Sequence, residues 1–150
     1  MRRLVFLILA GCWQSPASPP PGSPPEVVVQ PEAPRPHRTT LWTGRYVCPQ
    51  GITAISLTLA SKDHAIDATF EFGPLPENPS VPHGSYTMHG VAKRLRDGEF
   101  AVVLEPDHWI EQPPGYLMVG LEATTSAEHR VLRGRITDAR CAEIELSRLR

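Results

Sequence analysis

Across residues 55–146 the apolar side chains return at every second position, and that period limits the fold more than any other feature of the chain. Ile55, Leu57 and Leu59 alternate with polar neighbours, and Ile66, Ala68, Phe70 and Phe72 alternate with Asp67, Thr69 and Glu71. The pattern continues at Tyr86 and Met88, at Phe100, Val102 and Leu104, and at Leu117, Val119 and Leu121. It ends with Leu132 and Ile136, then Ile144 and Leu146. In an extended strand successive side chains point to opposite faces, so such a period reads as a series of half-buried strands. No window of ten or more residues carries a helical period, and residues 91–97 are the one short stretch with helical composition. Turn-forming composition separates the runs at 61–63, 74–82, 96–98, 106–115 and 124–128.

Eight strands are expected, near 42–48, 52–60, 65–73, 84–91, 99–105, 116–123, 130–137 and 142–148. Short connections favour antiparallel neighbours. The expected class is therefore all-β: an antiparallel meander that closes, or nearly closes, into a small barrel and so removes its exposed edges. A two-sheet sandwich is the alternative.

The strands occupy residues 39–150, a length that can bury a core of its own. What precedes them is different in kind. Of 17 prolines, nine fall between positions 16 and 36. Such chain adopts extended polyproline II and cannot bury a core. At ~3.1 Å per residue, 16–37 would reach roughly 70 Å. A spacer is the expected role of 12–38, with a PxxP docking ligand as the alternative. Lys and Arg total 15 against 16 Asp and Glu, a net charge of -1, which argues against nucleic acid as a partner.

Met1-Arg2-Arg3 is a short basic start, 4–9 are wholly apolar, and Ala10-Gly11 precede Cys12. This is the layout of a secretory signal. The apolar run is far short of the ~20 residues that a spanning helix needs. The tetrapeptide Leu9-Ala10-Gly11-Cys12 resembles the lipobox of bacterial lipoproteins. That resemblance implies removal of 1–11 and a diacylglyceryl group on the Cys12 thiol. A cysteine falling by chance after an ordinary export signal is the bland alternative. Trp13 follows the cysteine in place of the aspartate associated with inner-membrane retention, so the expected location is the cell envelope, at the outer membrane if the cell is Gram-negative.

With Cys12 lipidated, two cysteines remain. Export brings the chain to an oxidising compartment, so Cys48 and Cys141 are expected to form one disulfide. Cys48 ends the first expected strand and Cys141 precedes the last, and those strands are neighbours in a closed meander. A cysteine metal pair would lack further ligands, and a reactive thiol would lack a nearby histidine.

Residues 42–148 also resemble an uncharacterised domain of exported bacterial proteins. The resemblance rests on Trp42-Thr43-Gly44-Arg45-Tyr46-Val47-Cys48-Pro49-Gln50-Gly51, on Asn78-Pro79-Ser80-Val81-Pro82-His83-Gly84-Ser85-Tyr86, and on Trp109-Ile110-Glu111-Gln112-Pro113-Pro114-Gly115-Tyr116. It implies one fold unit and no chemistry. The Trp-x-Gly-x-Tyr opening is similar to that of lipocalin-like and avidin-like barrels, a likeness of fold alone.

The chain holds no GxSxG, HExxH, P-loop or paired CxxC motif. His83 and His89 could share a strand face, and Asp107, His108 and Glu111 could add a carboxylate–imidazole metal site. Glu105 and Glu111 could form a hydrolytic carboxylate pair. Polar residues solvated on loops and surfaces would read the same way, and no catalytic residue, metal or cofactor is assigned. The loops 74–84 and 106–115 are stiffened by proline and lose little entropy on binding. Trp109, Tyr116 and Tyr86, with His83 and His108, are therefore the candidate binding residues, unless Trp109 and Tyr116 plug the barrel end as core. The expected function is a lipid-anchored envelope protein with a non-catalytic binding or structural module, partnered by the membrane through its lipid and by an envelope protein or glycan. The alternatives are an envelope hydrolase using His83, Asp107, His108 and Glu111, and an inhibitor or immunity-type lipoprotein.

Overall fold

A computed structural model describes residues 38–62 and 64–149. Cys12, the signal-like segment and the proline-rich stretch lie outside them. The described chain runs β1 (Arg38–Cys48), β2 (Gly51–Lys62), β3 (Ala65–Gly73), β4 (Gly84–Arg94), β5 (Phe100–Glu111), β6 (Leu121–Thr125), β7 (Val131–Ile136) and β8 (Glu143–Arg148). All neighbours are antiparallel, and β8 returns to β1 to close a barrel. The all-β meander expected from the period is the observed fold, closed rather than split into two sheets.

The alternation becomes an inside and an outside. Ile55, Leu57, Leu59, Ile66, Ala68, Phe70 and Phe72 are all buried, while Asp67 and Glu71 between them face solvent. Trp42 pairs with Leu57, Leu57 with Phe70, Phe70 with Tyr86, and Tyr86 with Trp109. One row of large side chains thus crosses five strands. Phe70 stacks on Tyr86 with ring centroids 4.8 Å apart and meets Tyr46 edge-on at 5.9 Å. Burying each such side chain stabilises by about 1.5–3 kcal/mol.

The closing seam is narrower. Trp42 to Arg45 pair with Glu145 to Arg148, and Gly44 lets the strands approach, since a β carbon there would lie 2.7 Å from Leu146 Cδ2. A disulfide between Cys48 and Cys141, separated by 93 residues, continues the join beyond the ladder. On the chain-entropy model a loop of that length is worth about 4–5 kcal/mol.

Four boundaries differ from expectation. The first strand begins at Arg38, and β4 runs on to Arg94, so 91–97 is strand followed by a turn and not a helix. In that turn Asp97 has φ 62° and Gly98 φ 83°. β5 continues to Glu111, so 106–111 is strand rather than loop; register shifts against β4 accommodate Pro106. β6 begins only at Leu121, because the main chain of 119–120 bonds to the Tyr86 hydroxyl and to the hydroxyl and N–H of Thr137 instead of to β5.

Candidate binding cavity at one end of the barrel

Four connections gather at one end of the barrel: the turn at 49–50 and the loops 74–83, 112–120 and 137–142. Arg38, where β1 begins, and Arg148, where β8 finishes, are at the other end. The three segments that carry the sequence resemblance meet at the first end. Asn78 Nδ2 donates to the carbonyls of Gln50 (2.8 Å) and Ile52 (3.1 Å), fixing the long loop over the β1–β2 turn. Gly51 sits there at φ 93°, and a β carbon on it would lie 2.8 Å from Asn78 Nδ2. Phe72 stacks on Tyr116 at 5.4 Å and meets Trp109 edge-on at 6.4 Å.

These loops surround a cavity of about 410 Å³ that opens at this end. Its walls are Tyr46, Phe70, Phe72, Tyr86 and Tyr116, with the Cys48–Cys141 disulfide on one side. Its size lies within the ordinary range of small-ligand pockets. Polar groups are few. Gln50 Nε2 donates to Tyr46 Oη at 3.3 Å, and the rim carries Asp138 and Arg140. Those two form a forked pair, Nε to Oδ1 at 3.0 Å and Nη2 to Oδ2 at 2.6 Å, so the rim adds no net charge. Leu117 stands at the lip, 77% exposed.

Burial and pairing fix the charge states of three groups at this cavity. Burial, with a smaller contribution from Tyr116, pushes the Tyr46 phenol up to about 12. Burial raises Tyr86 as well. The hydrogen bond from Arg140 holds the Asp138 carboxyl down at about 2. A general base must gain and lose protons near the working pH. Tyr46 and Tyr86 stay protonated near neutral pH and Asp138 stays ionised.

The expected site residues are distributed as follows. Tyr86 is 1% exposed and belongs to the core at the cavity floor. Its hydroxyl donates to the Val119 carbonyl (2.9 Å) and accepts from the Val119 N–H (3.3 Å). Trp109 is half-buried against Phe72 and Tyr86, the latter at 5.2 Å. It braces the aromatic floor and takes no part in the cavity lining. Tyr116 is half-buried and does line the cavity. His83 is exposed and covers Gly73, whose β carbon would lie 2.8 Å from His83 Nδ1.

His108 is exposed on the outer face. Its Nδ1 lies 2.8 Å from Asp107 Oδ2 and 2.9 Å from Thr87 Oγ1. The hydrogen bond from His108 holds Asp107 below the usual carboxylate range. Asp107 and His108 share a shallow outer groove with His89, separate from the cavity. No described cavity contains His83, Asp107, His108 and Glu111 together. Among the described residues no three His, Cys, Asp or Glu side chains are placed to hold a metal ion. Sequence reasoning passed over Gln50, Phe70, Phe72 and the Asp138–Arg140 pair as site residues. The signal available was positional: Phe70, Phe72 and Tyr86 cluster where β3 ends and β4 begins.

No protein-family model matches this sequence, and no curated protein matches it.

Proposed function

We propose that this chain is a lipid-anchored protein of the cell envelope whose barrel is a non-catalytic binding module. The observation that carries the reading is the aromatic-walled cavity of about 410 Å³ at the end of the barrel away from Arg38. The lining favours a ligand with an apolar or aromatic body and a small polar end that can meet Gln50 and the Tyr46 hydroxyl. The hydrolase reading lacks a shared concavity for its four residues.

The test is recovery of bound material by the acylated chain from its own envelope fraction, run beside Leu117→Trp and Cys12→Ser. Leu117→Trp crowds the mouth from an exposed position and should stay with the membrane while losing the material that the unaltered chain retains. Equal recovery by both would overturn the cavity as the site. Cys12→Ser should neither label with palmitate nor fractionate with membranes, since stable anchoring needs the lipid chains. Labelling of that variant would overturn the anchor.

A further inference from the structure

β5 carries an open edge. Along one side it pairs with β4 as far as Glu111 opposite Ser85. Along the other it pairs with β6 only from Ala101 to Leu104, opposite Leu121 to Thr124. Continued in register, Val119 would face Pro106 and Leu117 would face His108. The chain does not do this. Both main-chain groups of Val119 are taken by the Tyr86 hydroxyl, and Gly120 bonds to Thr137 through both of its own. The segment before β6 therefore leans toward β7 and inward. Among the described residues, Glu105 to Glu111 have no main-chain partner on the β6 side.

An unpaired strand edge is a template for another extended chain. Pro106 offers no N–H, so the usable edge is 107–111. Its side chains decide what fits. Glu105, Asp107 and Glu111 place three carboxylates on seven residues, and all three are exposed. A second copy laid against this edge would set like charges together, which destabilises cross-strand pairs. A strand bearing lysine or arginine at alternate positions would set opposite charges together. Ile110, 60% exposed, offers an apolar contact for the residues between.

We propose that the β5 edge, Asp107 to Glu111, is a docking site for an extended basic polypeptide segment that adds a strand to the barrel wall. The site uses main-chain groups and outward side chains of β5, and it stands whether or not the cavity holds a ligand.

The test is residue-resolved amide exchange on the full chain, with three synthetic peptides as probes. One alternates lysine with valine, one has glutamate for each lysine, and one is the lysine peptide N-methylated at alternate amides. The lysine peptide should slow exchange at 107–111 by about tenfold or more. The glutamate and N-methylated peptides should not. The triple variant Glu105→Gln, Asp107→Asn, Glu111→Gln, all at exposed positions, should weaken the lysine peptide by about tenfold. No protection at saturating lysine peptide would overturn the proposal. So would equal protection by the N-methylated peptide, which would mean charge attraction without strand pairing. Protection that grows with protein concentration alone would overturn it in favour of a second copy.

Discussion

The two halves of the barrel are built differently. From β1 to β4 the strands are 9 to 12 residues long and pair along nearly their whole length. From β6 to β8 they are 5 or 6 residues long. The first half is held by backbone ladder and aromatic core. The second has shorter ladders and adds groups outside them: the Tyr86 hydroxyl on Val119, the Thr137 hydroxyl on the Gly120 N–H, and the disulfide at Cys141. The open β5 edge lies where the second kind of construction begins. The cavity lies between the two, walled by Tyr46, Phe70, Phe72 and Tyr86 of the first and by residues of 115–119 and 138–141 of the second. Function is more easily placed in a wall that is incompletely paired, because its free groups can be used by a ligand.

The largest expected effect breaks the weaker half. Cys48→Ser with Cys141→Ser should lower unfolding free energy by up to about 4–5 kcal/mol in chemical denaturation. Amide exchange should rise first in β7, β8 and 137–142, with β2 and β3 still protected. A uniform rise would mean that the halves do not differ. Trp109→Ala probes the boundary. With its ring against Phe72 and Tyr86, removal should destabilise by about 3 kcal/mol. A variant of nearly unchanged stability would show the ring to be an exposed anchor after all.

The same division explains what could be read from the residues alone. Strands β2 and β3 are plain because Ile55 to Leu59 and Ile66 to Phe72 keep a strict period of two, and burial on one face enforces it. The cysteine pairing was legible because two cysteines sat at the ends of the first and last strands. The end of β5 was not, because Pro106, Pro113 and Pro114 give 106–115 a loop's composition while tertiary pairing with β4 keeps 106–111 extended. The start of β6 was misplaced for the opposite reason. Leu117, Val119 and Leu121 have a strand's period, but a hydroxyl from β4 competes for the main chain of Val119. The cavity could not be read at all, since its walls come from five segments far apart in sequence.

That hydroxyl gives the next prediction. Tyr86→Phe leaves the ring and removes the partner of two main-chain groups, so it should destabilise by about 1–3 kcal/mol. Exchange should rise at 117–120 and not in β3. Tyr46 supplies a pH test of the same region. Its ordinary pKa of 10.0 is raised to about 12 in the folded chain. A raised phenol contributes stability in full below pH 10 and loses it as pH rises through about 12. Phenolate absorbance should therefore stay low through pH 10 for Tyr46 and Tyr86, and should grow together with unfolding above it. Early ionisation of either phenol would show the cavity floor to be open to water.

The smallest effect concerns the rim. The Asp138 carboxyl falls from 3.8 to about 2 because the Arg140 guanidinium donates to both of its oxygens. A depressed carboxylate contributes stability above its unfolded value and loses it as pH falls through the folded one. The window is therefore between about pH 4 and pH 2. The pair lies at the surface, with Arg140 exposed and Asp138 half-buried, so global stability should change little. What should change is local: exchange of the Arg140 Nε–H should quicken across that window, and salt should quicken it at neutral pH. Asp138→Asn should show the fast exchange at every pH. If the Arg140 Nε–H exchanges equally fast in both proteins at neutral pH, the rim pair does not hold in solution. Arg140 would then be a free cation at the mouth, and ligands with an anionic end would be favoured over neutral ones.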